Sequence, residues 1–526
     1  MYRGNAPLDH VVSPSLRPAT PPPPAPGLNI VPTFDTSITS DPQAAGIEAG
    51  INAAIAELEV HISTPITVNI AFESDDTGLG SSTTFINDLS YAAYRSDLAN
   101  NTTRSTADTK ALATLPADNP VHSGEAVTMS LPLLRAIGES ALGDNNGGFD
   151  STIGLNTSIT NPTRTGPQDP NKYDLEQVAL HEITEVLGAG GGGSQLDVGG
   201  TGPLDLFRYR APGVRSYTTA TSEFSYFSTT AGKTNRGYFN QDAGGDYADL
   251  DSSRNGFPRV QDAFSTPGIQ LDIDGGEWLG LDVVGQTLKA VPRTFAVTNP
   301  TLSNGTAASP AASDVHWYRS GTTAGGSVTN SADFGSPSGQ GLGSGALKLT
   351  TNNQNSAVAE LLTNHRVYGT RLDDLTKLSY WTYHSSATTG SGDIDAQLKL
   401  VVDFDGNLAT TADRTTLVYD PFRNDIEGTD PQHPEGILPD QWQFWDAIAG
   451  SWSTTNAIAC GTFHVAATGG NPPNTRPGDI ADNCQNATVV SYGVKVGVNH
   501  PNTVVGVDGV HFQTVSDANT WNIGPK

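Results

Sequence analysis

Tyr173–Gly188 reads YDLEQVALHEITEVLG, and the rest of the chain is interpreted from this stretch. Asp174 is a good N-cap residue, Leu175, Val178, Ala179, Val186 and Leu187 recur at spacings of three and four, and Gly188 ends the run. The spacing predicts a helix with one buried stripe. On such a helix His181 and Glu185 are four apart and share a face, with Cβ atoms roughly 5–6 Å apart, close enough to hold one metal ion. Glu182 then stands beside that ion. The alternative is that all three are polar groups on the solvated face of an amphipathic helix.

The pattern is the HExxH zinc helix with its second His replaced by Glu, an arrangement in which the middle Glu activates a water for attack on a carbonyl. A carboxylate binds zinc at about 2.0–2.2 Å but brings more negative charge than imidazole, so reliance on Glu182 as the base should rise. Around the helix, VALHEITEVLG, PLDLFRYRAPGVRSY, GGDYADLD, DAFSTPG and LDVVG follow in order, preceded by TVNIAFES with LGSS, SYAAYRSDL and the LP of TLPADNP. Over about residues 28–290 these blocks resemble a family of secreted bacterial zincin-type metalloproteases. The resemblance implies an α+β zincin-like metalloprotease domain, Zn2+ as cofactor and a protein or peptide substrate.

Zincins with HExxHxxGxxH place a third His six residues after the second ligand, and here that position is Gly191, so the third ligand comes from elsewhere. Asp205 is the first choice, 20 residues past Glu185 and beyond a glycine hinge, AGGGGS, read as flexible. Asp246 and Asp249 in GGDYADLD are the alternatives, and His122, far upstream, is the weakest. In zincins a sheet edge strand beside the metal takes extended substrate by strand addition. By resemblance, Thr152, Gly154 and Asn156 in the strand before the helix would do this; otherwise they form a plain sheet strand.

At 526 residues the chain is too long for one ordinary domain. A net charge of −27 argues against nucleic acid and anionic membrane as partners, since both need Lys/Arg patches. Low charged content (16%) with two Cys and two Met fits an exported β-rich protein, secreted or at the cell surface. Cys460 and Cys484 read as a disulfide across a Gly/Pro/Asn-rich loop, two buried thiols being the alternative. No stretch approaches 18 apolar residues, so no membrane span is expected, and MYRGNAP lacks a signal-peptide core, so an export signal would have been removed or left out.

Three segments follow. Residues 1–27, with PATPPPPAPG, read as a proline-rich disordered leader. Residues 28–292 open β-α-β (LNIVPTF, a helix from Pro42 to Val60, TPITVNIAFES) and close on a helix near LDVVG. Residues 293–526 alternate in short runs such as ALKLTT, AQLKLVVDFDG and TTLVYDPF, predicting an all-β sandwich, jelly-roll-like. Its blocks resemble an accessory domain of secreted bacterial proteins, with extracellular matrix or a cell-surface glycan as its partner. Asp403, Asp405 and Asn407 have the spacing of a Ca2+ loop, but no Glu follows at the twelfth position, and D-G is also a strong hairpin signal. Trp442, Trp445 and Trp452 read as sandwich core before sugar-stacking platform. Three functions remain in view: a secreted zinc endopeptidase with Glu182 as base, a catalytically inactive zincin-like adhesin, and a glycosidase using paired carboxylates.

Overall fold

The computed structural model describes residues 27–523 except 102, 123, 256–257, 298–301, 305–316, 364–365, 391–394, 407–410, 426–431, 461–462, 468–474, 485 and 498. The proline-rich leader, Gly27 apart, and Asn407 of the proposed calcium loop therefore lie outside the described residues. The chain forms two units that divide between Lys289 and Ala290, slightly ahead of the boundary read from composition.

In the first unit the chain runs β1 (Asn29–Phe34), α1 (Thr36–Thr39), α2 (Ala44–His61), β2 (Thr67–Ser74), β3 (Gly80–Thr84), β4 (Ile86–Ser90) and α3 (Tyr91–Asn100). It continues through α4 (Thr106–Ala113), β5 (Ala126–Ser130), α5 (Leu131–Ala136) and β6 (Ser151–Leu155) to α6 (Leu175–Val186). The main sheet has the order β1-β2-β6-β3. β1 and β2 are parallel, with Asn29 opposite Thr67, as the long crossover through α2 requires. β2 and β6 are parallel, with Ile70 opposite Ser151, while β3 runs antiparallel to β6, with Gly80 opposite Leu155.

Ile47, Ile51, Ala54, Ile55 and Leu58 form the buried row of α2, which packs against α6. The expected single stripe on α6 is too narrow: every residue of that helix but Glu176 is buried. The cause is tertiary, because α6 is contacted by α2, by β3 and β6 of the sheet, and by the glycine turn that follows it. Asp174 stands at the N-cap position, with its carboxylate taken by the Arg164 guanidinium (Nε to Oδ2, 2.7 Å).

The second unit carries two seven-stranded sheets, one containing Val291–Val297, Ala346–Thr351, Lys377–His384 and Val504–Gln513, the other containing Val358–Thr363, Gln397–Asp403 and Thr488–Gly497. Both feed one apolar core, to which Leu398, Leu400 and Val402 contribute by strand alternation, alongside Leu349, Val505 and Val507 from the other sheet. This is a sandwich-like arrangement. Trp445 and Trp452 are fully buried in it, whereas Trp442 is half-buried, edge-on to Tyr383. The Cys460–Cys484 disulfide is present. No described helix is long and apolar enough to cross a membrane.

Candidate metal centre

α6 delivers His181, Glu182 and Glu185 to one place by the i, i+4 geometry of a helix, and two features outside the helix orient them. The His181 Nδ1–H donates to the Val260 carbonyl (2.9 Å), which assigns the lone pair to Nε2. Nε2 lies 3.3 Å from Glu185 Oε1 and 3.6 Å from Asp249 Oδ2. Glu185 is steadied at its other oxygen by the Ser82 hydroxyl (2.6 Å) and at Oε1 by the Gly191 N–H (3.1 Å). Asp249 is fully buried, and neither of its carboxylate oxygens has a hydrogen-bond partner.

His181, Glu185 and Asp249 each offer a donor atom within 4.8 Å of the others. Tetrahedral zinc with bonds of about 2.1 Å needs donors roughly 3.4 Å apart, and the two separations from His181 Nε2, 3.3 and 3.6 Å, are close to that. The donor chemistry fits as well, since imidazole nitrogen and carboxylate oxygen are both zinc ligands. A buried carboxylate with both oxygens unpaired is costly unless a cation or a proton meets it.

The residue that completes this cluster is one of the alternatives, Asp249. Asp205, the first choice, is committed elsewhere: its carboxylate accepts the Ser194 hydroxyl (2.7 Å) and the N–H groups of Gln195 (3.0 Å) and Gly202 (2.8 Å). Asp246 lies close by but is not part of the three-donor set. Its Oδ2 and Glu185 Oε1 would both crowd a Cβ placed on Gly191, at 2.8 and 2.6 Å. The glycine run read as a flexible hinge is instead a short, largely buried 3-10 turn, Gly190–Gly193. Glycine is needed there because Glu185, Asp246 and Leu204 approach to where side chains would stand. His122 sits in a turn with its backbone N–H on Asn119 Oδ1.

Electrostatically the site is crowded with acid. Burial pushes the Glu182 carboxyl well above the usual carboxylate range, and Glu185 and Asp246 push it further. Asp249 is raised well above it too, by burial and then by Asp246, Glu185 and Glu182. Glu182 is 1% exposed, and its Oε1 has no hydrogen-bond partner. That oxygen lies under β3, where a Cβ on Gly80 would meet it at 2.3 Å.

The strand assigned to substrate by resemblance is placed differently. β6 is an interior strand: Thr152 pairs with Ala71 on one side and Thr83 on the other, and Gly154 with Glu73 and Ser81. Asn156, just beyond, is tied to the Leu79 and Gly78 carbonyls. With both sides taken, β6 has no edge to offer. The edge beside α6 belongs to β3, which among the described residues has no other strand partner. Ser82 and Gly80 were within reach of the sequence, since LGSS was one of the resembling blocks, but nothing in its polar composition marks a strand.

In the second unit Asp403, Asp405 and Asp413 come together. Asp403 caps the turn at the Gly406 N–H (3.1 Å) and meets Arg414 (Nε, 3.1 Å), while Asp413 accepts the N–H groups of Phe404 and Asp405. These bonds lie at the two ends of the connection between two antiparallel strands.

No family model and no curated protein matches the chain. Among solved structures, a family 11 carbohydrate-binding module from Clostridium thermocellum, in complex with a β-1,3-1,4-mixed-linked tetrasaccharide, is similar at 9% identity and a TM-score of 0.22. That similarity spans 40% of this chain and 95% of the module, and at that score it carries no argument.

Proposed function

We propose that the first unit is a zinc-dependent peptide hydrolase of zincin type, with His181, Glu185 and Asp249 as the metal ligands and Glu182 as the general base. The observation that carries the reading is Asp249: a fully buried carboxylate with no hydrogen bond to either oxygen, 3.6 Å from Nε2 of a helix-borne histidine. Zinc held there would supply Lewis acidity to a scissile carbonyl and to a water. Glu182 would take a proton from the attacking water at Oε1 and return it to the departing amine, and its burial beneath β3 would keep bulk water from competing. Ser82 and Gly191 hold Glu185 in place. The exposed edge of β3 is suited to an extended peptide added as a further strand.

The second unit is proposed to bind matrix protein or a cell-surface glycan, and the protein to act outside the cell, in keeping with its disulfide. Any Ca2+ at Asp403, Asp405 and Asp413 would be structural.

A second reading is supported by burial. His181 is 0%, Glu182 1%, Glu185 3% and Asp249 0% exposed, and closed sites are the mark of structural rather than catalytic zinc. An inactive, metal-stabilised adhesin would have this character. Zinc analysis of the full chain with a peptide-cleavage screen, with and without chelator, separates the two. On the hydrolase reading, Glu182→Gln retains zinc while turnover falls by about 10²–10⁴. Zinc bound at parental level with no cleavage by the parental chain selects the structural reading, and no zinc at all refutes both.

A further inference from the structure

We infer that Arg208 is a positioning residue for the zinc ligands, fixing Asp249 through the backbone of the loop that carries it. The inference rests on the reading that His181, Glu185 and Asp249 hold zinc.

Arg208 is 0% exposed, which is an expensive place for a guanidinium unless its donors are used. Nη1 donates to the Tyr247 carbonyl (2.6 Å) and Nη2 to the Ser225 hydroxyl (2.8 Å), while Cζ lies 4.2 Å from the centre of the Phe239 ring. Tyr247 stands between Asp246 and Asp249 in the chain, so the guanidinium grips the loop at its middle. Asn240 grips the same loop at its ends, its N–H on the Asp249 carbonyl (2.7 Å) and its Nδ2 on those of Asp242 (2.9 Å) and Asp246 (3.0 Å).

The same Nη1 lies 3.9 Å from Asp205 Oδ1. Asp205 in turn holds Ser194, Gln195 and Gly202, the exit of the glycine turn whose Gly191 N–H donates to Glu185. One buried ion pair thus joins the two irregular segments on which the site depends, the turn that steadies Glu185 and the loop that presents Asp249. The first is only a four-residue 3-10 turn and the second has no helix or strand, so a fixed charge pair at their junction does what a long helix does for His181.

The test uses the full chain, stripped of metal and titrated with Zn2+ against a chromophoric chelator. Arg208→Met keeps the length of the side chain and removes both donors, and zinc affinity should fall about 10–100-fold, the range typical of losing a group behind a ligand. Arg208→Lys keeps the charge but reaches one acceptor at a time and should fall between the Met variant and the parent. Asp205→Asn/Arg208→Met removes the buried charge altogether. It should recover folding lost by the single Met variant without recovering affinity, a split that a merely structural arginine would not produce. Parental affinity in any folded Arg208 variant overturns the inference. So does failure of all three to fold, which would make Arg208 a determinant of the fold and not of the site. A parental chain that binds no Zn2+ refutes instead the metal reading on which the inference stands.

Discussion

Replacing Asp249 and Asp205 in turn by Asn should produce changes of opposite sign, because the two buried aspartates have opposite surroundings. Asp249 has no hydrogen-bond donor on either oxygen and stands among Glu182, Glu185 and Asp246. Its amide analogue removes one anionic donor from a set of three. Zinc binding to small structural sites is worth about 10–16 kcal/mol over four ligands, so one ligand accounts for roughly 3 kcal/mol. At 1.4 kcal/mol per decade that is about a hundredfold loss of zinc affinity. The same substitution relieves like-charge repulsion, so the metal-free Asp249→Asn chain should unfold at higher temperature than the metal-free parent.

Asp205 accepts three hydrogen bonds and faces Arg208. Asn has one acceptor oxygen, so at least one buried N–H or O–H loses its partner at a cost of about 1–3 kcal/mol, and the metal-free chain should unfold at lower temperature. Its zinc affinity should fall no further than that of Arg208→Met. Chelator competition and thermal melts of the metal-free proteins measure both quantities. The reasoning is refuted if Asp205→Asn is the variant that loses zinc while keeping its stability, or if Asp249→Asn binds zinc as the parent does.

Two further predictions concern regions away from the metal. Reducing Cys460–Cys484, whose sequence separation is 24, should destabilise the second unit by roughly 3 kcal/mol in a urea melt and leave zinc content unchanged; loss of zinc on reduction would count against the two-unit description. Asp108 and Asp282 are both buried, and burial raises them to about 7 and about 6, with Asp282 adding to the rise at Asp108. A carboxyl raised on folding takes up a proton. The stability it contributes is complete below the unfolded value near 4 and is lost as pH rises through about 6 to 7. Asp108→Asn should flatten that decline and melt above the parent at pH 8, and identical pH profiles for the two would contradict it.

How much of this was legible in the sequence follows from what is local. The i, i+4 placement of His181 and Glu185 with Glu182 between them is a property of any helix, and capping and apolar spacing were enough to locate that helix. The β-α-β opening and the sandwich strands were equally legible, because burial of one or both faces writes a period into the sequence. The pairing of Cys460 with Cys484 needed only two cysteines in one segment.

Tertiary structure alone decided the rest. Asp205 and Asp249 both sit in aperiodic, Asp-rich sequence, and nothing local distinguishes a carboxylate that accepts three N–H and O–H bonds from one left to face a histidine. The glycine run looked flexible because glycine permits flexibility. Here it is required by the opposite circumstance, side chains of Glu185, Asp246 and Leu204 pressing to within a Cβ's reach. The substrate strand was misplaced because alternation identifies a strand but not its neighbours. β6 acquires a partner on each side, and β3, short and rich in Ser and Thr, is left with the open edge over Glu182. Periodicity records which face of an element is buried. Which segments from distant parts of the chain meet at that face is set by packing, and the candidate metal centre is made of such meetings.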